Sequence, residues 1–440
     1  MLFNKIKEND SLHIFVDSEN FERSLSNIKE RLLSYNKIDC FDFLRSNYLV
    51  RCPEILSIEQ NRNTIAADYT QQIETISRNA LNHRALSEGE KEFLSLILFH
   101  KAFYLREYPN NFLFVTDNNL FIKNYQSLER FFPAIRLVNT KTALSLMDLF
   151  AKSKGFYFIT PQWKEAKKLW YWSYFRSTVP HYNVPRPLSA SFSITSNQIL
   201  ESFAARFTYL LTSIDEIGIQ NYFGKDKDLM IPYHFNYFIS LTTGIFDSLA
   251  IETKAKYNIQ FEHDYIRSKI SLSSSGKEFL SKVRKINPAL VDHRNKYGNF
   301  IKLIYQFREQ VLHREGLKEM GYFKDFRMSN FYVIPKSVAE LIRSSGDNIE
   351  TNKKMSKWGV MNENISIHGS LYFYLQPFCF ARNVGLKLVE FCDEYLRLMG
   401  FSKFIDSLEE NDPYLEKMRL IQNNSLAVYE SNNKTISHQV

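Results

Sequence analysis

Short apolar runs that stop at polar residues set the pattern of the N-terminal part of the chain. Residues 12–17, LHIFVD, end at Asp17. Residues 112–118, FLFVTDN, repeat the pattern around Asp117, and residues 134–140, AIRLVNT, form a weaker third run. Runs this short and this apolar predict strands buried on both faces, as in a parallel sheet. Helical spacing lies between them. Phe21, Leu25, Ile28 and Leu32 follow the first run; residues 90–107 form a strongly apolar helix before Pro109; residues 141–155 form another, stopped by Gly155. Strands alternating with helices predict an α/β domain with a parallel sheet over residues 1–160. Ligands of such sheets gather at the carboxyl ends of the strands, where Asp17 and Asp117 both fall.

The pattern changes after residue 160. Residues 161–192 carry Trp163, Trp170 and Trp172 and then Pro180, Pro185 and Pro187, which reads as an aromatic helix followed by an extended connector. Beyond it, helical periods dominate at 198–216, 232–256, 276–287, 296–314, 334–345 and 371–399, with loops near 271–275 and 344–357. Residues 193–440 are therefore expected to form an all-α helical bundle. Two domains also suit 440 residues, more than one core usually holds.

Composition adds a bias rather than an answer. The hydrophobic share of 44% and charged share of 24% are those of a folded globular protein. The net charge of +8 is uneven: 20 Lys and Arg oppose 19 Asp and Glu in residues 1–160, and 36 oppose 29 thereafter. A basic second part suits a polyanion such as RNA or DNA. Cys40, Cys52, Cys379 and Cys392 form no C-x-x-C pair, so reduced thiols in a cytoplasmic protein are expected. The first residues lack the apolar run of a signal peptide, and no stretch has the uninterrupted apolar length of a membrane span.

The strand-end acids invite a divalent metal. Mg²⁺ and Mn²⁺ need several carboxylate oxygens in one place. Glu90, at the start of the apolar helix that leads to the Asp117 strand, is the third candidate. Three such acids around an ion would position a water and polarise a phosphodiester. Each acid alone has a plainer explanation, as a helix cap or a charge at a helix N-terminus.

The segments FVDSENF (15–21), LSEGEKEFLSLIL (86–98), FLFVTDNNLF (112–121) and LVNTKTALSLMDLFAKSKGF (137–156) together resemble a PIN domain. The resemblance implies a Mg²⁺- or Mn²⁺-dependent ribonuclease with Asp17, Glu90 and Asp117 as its acidic positions and Asn20 as the polar residue after the first. Where many PIN domains carry a further acid, this chain has Asn118 and Asn119. A carbonyl oxygen without charge weakens any ion site there.

A second candidate lies in FREQVLHREG, where Arg308 precedes His313 by five residues. Metal-free cleavage of RNA needs a base for the 2′-hydroxyl proton and a cation for the phosphorane. Histidine and arginine suit these roles. Five helical residues turn about 500°, so the two side chains sit about 140° apart and flank an apolar stripe. A partner helix along that stripe is needed to bring them to one site. The segment from about 195 to 400 resembles the HEPN superfamily, whose R-x₄₋₆-H motif Arg308 and His313 match, with Asp247 as a polar residue inside the earlier long helix. That resemblance implies metal-independent ribonuclease activity and a homodimer. A structural alternative pairs Arg308 with Asp247 and leaves His313 at the helix end.

Weaker candidates are the tryptophans of 163–172, which fit packing between domains better than base stacking, and the pairs His263–Asp264 and Asp292–His293, expected on the surface. The expectation is an endoribonuclease acting through either site. Both resemblances imply a toxin or antiviral-defence setting with a neutralising or regulatory protein. A non-catalytic dimeric RNA-binding scaffold is the alternative.

Overall fold

The computed structural model describes residues 12–17, 48–51, 69–103, 112–129, 131–132, 136–154, 167, 170–171, 198–223, 227–261, 269–313, 318–324, 327–345, 358–367 and 369–401. The chain divides into two compact units, one of Met1–Ala166 together with Gly321–Ser329, the other of Lys167–Met320 and Asn330–Asn423. The division falls inside the segment expected to be a connector. The helix expected at residues 18–35 lies outside the described residues.

The first unit is built on strands β1 (Leu12–Val16), β2 (Tyr48–Arg51), β3 (Phe112–Val115) and β4 (Leu137–Val138). Their order is β2-β1-β3-β4, and every pairing is parallel. Helices α1 (Thr70–Ala80), α2 (Glu88–Phe103), α3 (Asn119–Lys123), α4 (Tyr125–Glu129) and α5 (Thr140–Ser153) complete the described part. The β1–β3 register sets Phe15 beside Phe114, and the two rings stack at 5.0 Å. They belong to a core with Ile73 and Ile76 of α1, Phe93 and Ile97 of α2 and Phe121 of α3. Leu12, Ile14 and Val16 are fully buried as well, which is why β1 reads as an unbroken apolar run. Strand β2 carried no signal strong enough to predict it.

The helical part of the second unit contains α6 (Gln198–Phe223), α7 (Lys227–Lys256), α8 (Lys277–Ile286), α9 (Pro288–Lys296), α10 (Gly298–His313), α11 (Lys336–Ser344) and α12 (Pro377–Leu398). Two glycines let α12 lie close on α6. A Cβ at Gly218 would stand 2.5 Å from the Phe378 ring, and one at Gly385 would stand 2.6 Å from Ile214 Cδ1. Trp170 and Tyr171 are buried in this unit, so the Trp170 ring is core and presents no face to a base; Trp163 and Trp172 lie outside the described residues.

The expectation of an all-α second part is corrected here. Strands β5 (Lys318–Lys324), β6 (Arg327–Pro335), β7 (Val360–Ile367) and β8 (Ser370–Leu375) make a second sheet, in the order β5-β6-β8-β7. Strands β6 and β8 are antiparallel, as are β7 and β8. The fold is α/β in the first unit and mixed, mainly helical, in the second. Gly369, at φ +77°, supplies the left-handed residue of the tight β7–β8 turn. Helix α12 starts later than the expected 371 because residues 370–375 pair in the sheet, and Gln376 then caps the helix by accepting from Cys379 N–H at 2.6 Å.

His293 departs from expectation too. Its ring stacks on Phe391 at 5.1 Å, and its Nε2 meets the Phe391 carbonyl at 3.0 Å. Asp292 does lie outward, paired with Arg284 at 3.0 Å. Burial lowers the His293 pKa below its ordinary 6.5, against the opposing pull of the Phe391 carbonyl and Glu394; Lys296 and Arg397 add to the lowering. A folded-state pKa below the unfolded one means that the unfolded chain binds more protons as pH falls. Stability tied to His293 is therefore complete above about pH 6.5 and declines below it. Thermal melts between pH 7.5 and roughly 5.5 should show a steeper acid loss in wild type than in His293→Gln. Parallel curves would refute the assignment.

Candidate functional site

The parallel register decides how the strand-end acids lie. Val16 pairs with Val115, so the next matched positions are Asp17 and Thr116, and Asp117 stands one residue further on. The ladder runs past both strands: Asp17 N–H donates to the Val115 carbonyl at 2.9 Å and Thr116 N–H to that of Val138 at 3.0 Å. Asp17 is fully buried, and the Thr116 hydroxyl donates to its Oδ2 at 2.6 Å. Thr116 Oγ1 accepts in turn from Asn118 N–H at 3.0 Å.

Asn118 then ties in Glu90. Its Nδ2 donates to Glu90 Oε1 at 2.9 Å, while its Oδ1 caps α3 by accepting from Leu120 N–H at 2.9 Å. Glu90 Oε2 accepts from Ser87 N–H at 2.9 Å, and Glu90 N–H donates back to Ser87 Oγ at 3.2 Å. This reciprocal pair is a capping box for α2. Asp117 turns the other way. Its oxygens accept from Thr140 N–H at 3.0 Å and the Thr140 hydroxyl at 2.6 Å. That places a negative charge at the N-terminus of α5, where an orphan amide and the helix dipole both favour it.

The segment Thr116–Asn118 thus touches Asp17 and Glu90, but Asp117 faces α5. Both oxygens of Glu90 and both of Asp117 already accept hydrogen bonds. Among the described residues no three His, Cys, Asp or Glu side chains form a group that could hold a metal ion. Asp117 is thus held by Thr140, apart from the Thr116 and Asn118 contacts that reach Asp17 and Glu90. Asn119 is exposed and begins α3, and Asn20 lies outside the described residues. Thr116 and Thr140 were not foreseen. The signal for Thr116 was available, since a hydroxyl next to a strand-end acid in VTD is a ready donor.

The second candidate is on α10. Arg308 is half-buried there, and the His313 backbone closes the helix while its side chain lies outside the described residues. Asp247, on α7, does not pair with Arg308. The Tyr305 hydroxyl donates to Asp247 Oδ1 at 2.6 Å. Burial, then the Asp247 charge and its hydrogen bond, push the Tyr305 phenol far above its ordinary pKa and keep it protonated; Ser271 and Arg308 pull the other way. Arg308 therefore stands close to Tyr305, yet it makes no ion pair or hydrogen bond among the described residues. Tyr305 lies one turn before Arg308, a spacing that could have flagged it.

No family model, curated protein or solved structure matches this chain. Among the described residues, no helix is long and apolar enough to cross a membrane, and Cys379 and Cys392 are buried free thiols. Burial pushes the Cys379 thiol up to about 11.

Thr116→Val removes the hydroxyl donor of a fully buried carboxylate and should cost about 1–3 kcal/mol. Thr140→Val acts on the exposed Asp117, which water can serve, and should cost less than about 1 kcal/mol. Denaturant unfolding of the two variants measures the contrast. Equal losses would mean that burial does not set the value of these bonds.

Proposed function

We propose that the chain is a ribonuclease that cuts RNA without a metal, through Arg308 and His313. The observation that carries this reading is the hydrogen bond from Tyr305 to Asp247. It satisfies the nearby acid that would otherwise neutralise Arg308, and it leaves a guanidinium available beside it. A guanidinium offers a planar fork of donors to two phosphate oxygens.

In the proposed reaction His313 takes the proton of a 2′-hydroxyl. The 2′-oxygen bonds to phosphorus while Arg308 stabilises the charge that develops on the non-bridging oxygens. The bond to the 5′-oxygen breaks, and that oxygen takes a proton from water. The products are a 2′,3′-cyclic phosphate and a 5′-hydroxyl. Because the two side chains flank the helix, the site is completed by a second copy of the chain, as a homodimer. Uncontrolled cleavage of this kind halts growth, which is the basis for a toxin or defence role with a neutralising partner.

A metal-dependent reaction at Asp17, Glu90 and Asp117 is the second reading. The contacts from Thr116 to Asp17 and from Asn118 to Glu90 favour it, and the occupied carboxylate oxygens count against it.

Cleavage of end-labelled RNA by the purified protein, with Mg²⁺ or with EDTA, tests both. The expected result is cutting that survives EDTA and the Asp17→Asn/Asp117→Asn pair, and falls by about 10²–10³ in Arg308→Ala. Loss of activity in EDTA would transfer the function to the carboxylates. Tyr305→Phe frees Asp247 to compete for Arg308 and should lower the rate without changing the product ends.

A further inference from the structure

The outer face of the α6–α7 pair is unusually aromatic. Tyr233 and Tyr237 of α7 are 62% and 42% exposed, and Tyr209 of α6 is 53% exposed. The Tyr237 phenol feels both of the others. Desolvation first, and then Tyr209 and Tyr233, hold the Tyr237 hydroxyl above its ordinary pKa. On a helix of 100° per residue, Tyr233, Tyr237, Gly244 and Asp247 fall within about 80° of each other, on one face. The tyrosines therefore share that face with the acid that binds Tyr305 beside Arg308.

Between the tyrosines and Asp247 lies a cation. Arg206 of α6 reaches across to Gly244 of α7, where its Nη1 donates to the Gly244 carbonyl at 3.1 Å. The reach depends on glycine, because a Cβ there would stand 2.4 Å from Nη1. Arg206 has no ion pair among the described residues. Along about 15 Å of α7, from Tyr237 to Asp247, the face thus presents exposed rings, then Arg206, then the surroundings of Arg308.

We infer that this face is a binding track for single-stranded RNA that leads to Arg308. Aromatic rings accept unpaired bases by stacking, and interspersed arginines hold the backbone. A duplex keeps its bases stacked on each other and cannot use the rings. The inference rests on the proposed choice of RNA as substrate, but binding can be measured apart from cutting.

The experiment is fluorescence anisotropy of a labelled single-stranded oligouridine and of an RNA duplex of equal length. It uses the full chain as wild type, Tyr209→Ala/Tyr233→Ala/Tyr237→Ala, the corresponding triple Phe variant and Arg206→Ala, and adds a 2′-O-methyl oligouridine as a probe that cannot be cut. The Ala triple should bind oligouridine about tenfold or more weakly, and the Phe triple, which keeps the rings, should bind as wild type. Arg206→Ala should weaken both RNAs. The 2′-O-methyl oligouridine, which cannot be cut through its 2′-hydroxyl, should bind wild type as oligouridine does and lose affinity in the Ala triple whether or not the chain cleaves RNA, so failure of the cutting mechanism and failure of the track are separable. Unchanged oligouridine affinity in the Ala triple overturns the inference. If sedimentation shows that the Ala triple only loses self-association while RNA binding persists, the face pairs with a second copy instead, and the inference is likewise overturned.

Discussion

Hydroxyl groups answer four of the described carboxylates. Asp17 accepts from Thr116, Asp117 from Thr140 and Asp247 from Tyr305, each at 2.6 Å, and Asp215 accepts from Tyr171 at 2.8 Å. A buried or half-buried acid must find donors, because an unpaired charge away from water costs several kcal/mol. A hydroxyl meets that need without using a guanidinium. In a chain with a surplus of Lys and Arg, Arg206 and Arg308 are thereby left without carboxylate partners on the described surface. Both the strand-end network and the Arg308 surroundings follow from this one kind of bond.

The sequence was most informative where burial was total. The β1 and β3 runs, the strand-end position of Asp17 and the core of α2 followed from apolar runs with nothing to contradict them. The direction of Asp117 did not. It depends on a one-residue offset between β1 and β3, and side chains alternate faces along a strand, so neighbouring positions meet different partners. The presence of three acids could be read from the chain, but the turn of Asp117 toward Thr140 could not.

The second sheet has a sequence signal of its own. NENISIHGSLYFYL alternates polar and apolar residues around a His-Gly step, which is a hairpin signature. The apolar end of that segment blends into the helix that begins at Pro377, and a helical period fitted across both hid the strand. Conversely, the Arg308–His313 pattern carries little information in itself. Its weight comes from Tyr305, whose partner on α7 lies 58 positions away in the chain.

Bonds between hydroxyls and carboxylates also behave differently from ion pairs when salt is added. Dissolved ions screen the attraction between exposed opposite charges over about 8–10 Å at ordinary ionic strength, but they do little to a short hydrogen bond that supplies the donor for a buried acid. The parts of the fold that rest on Asp17 and Asp247 should therefore be insensitive to salt, whereas attraction of a polyanion to the unpaired arginines fades steeply as salt rises. For the proposed RNA track, fold and affinity are thus tuned by different variables: salt should release the RNA while leaving the helices that carry the track intact.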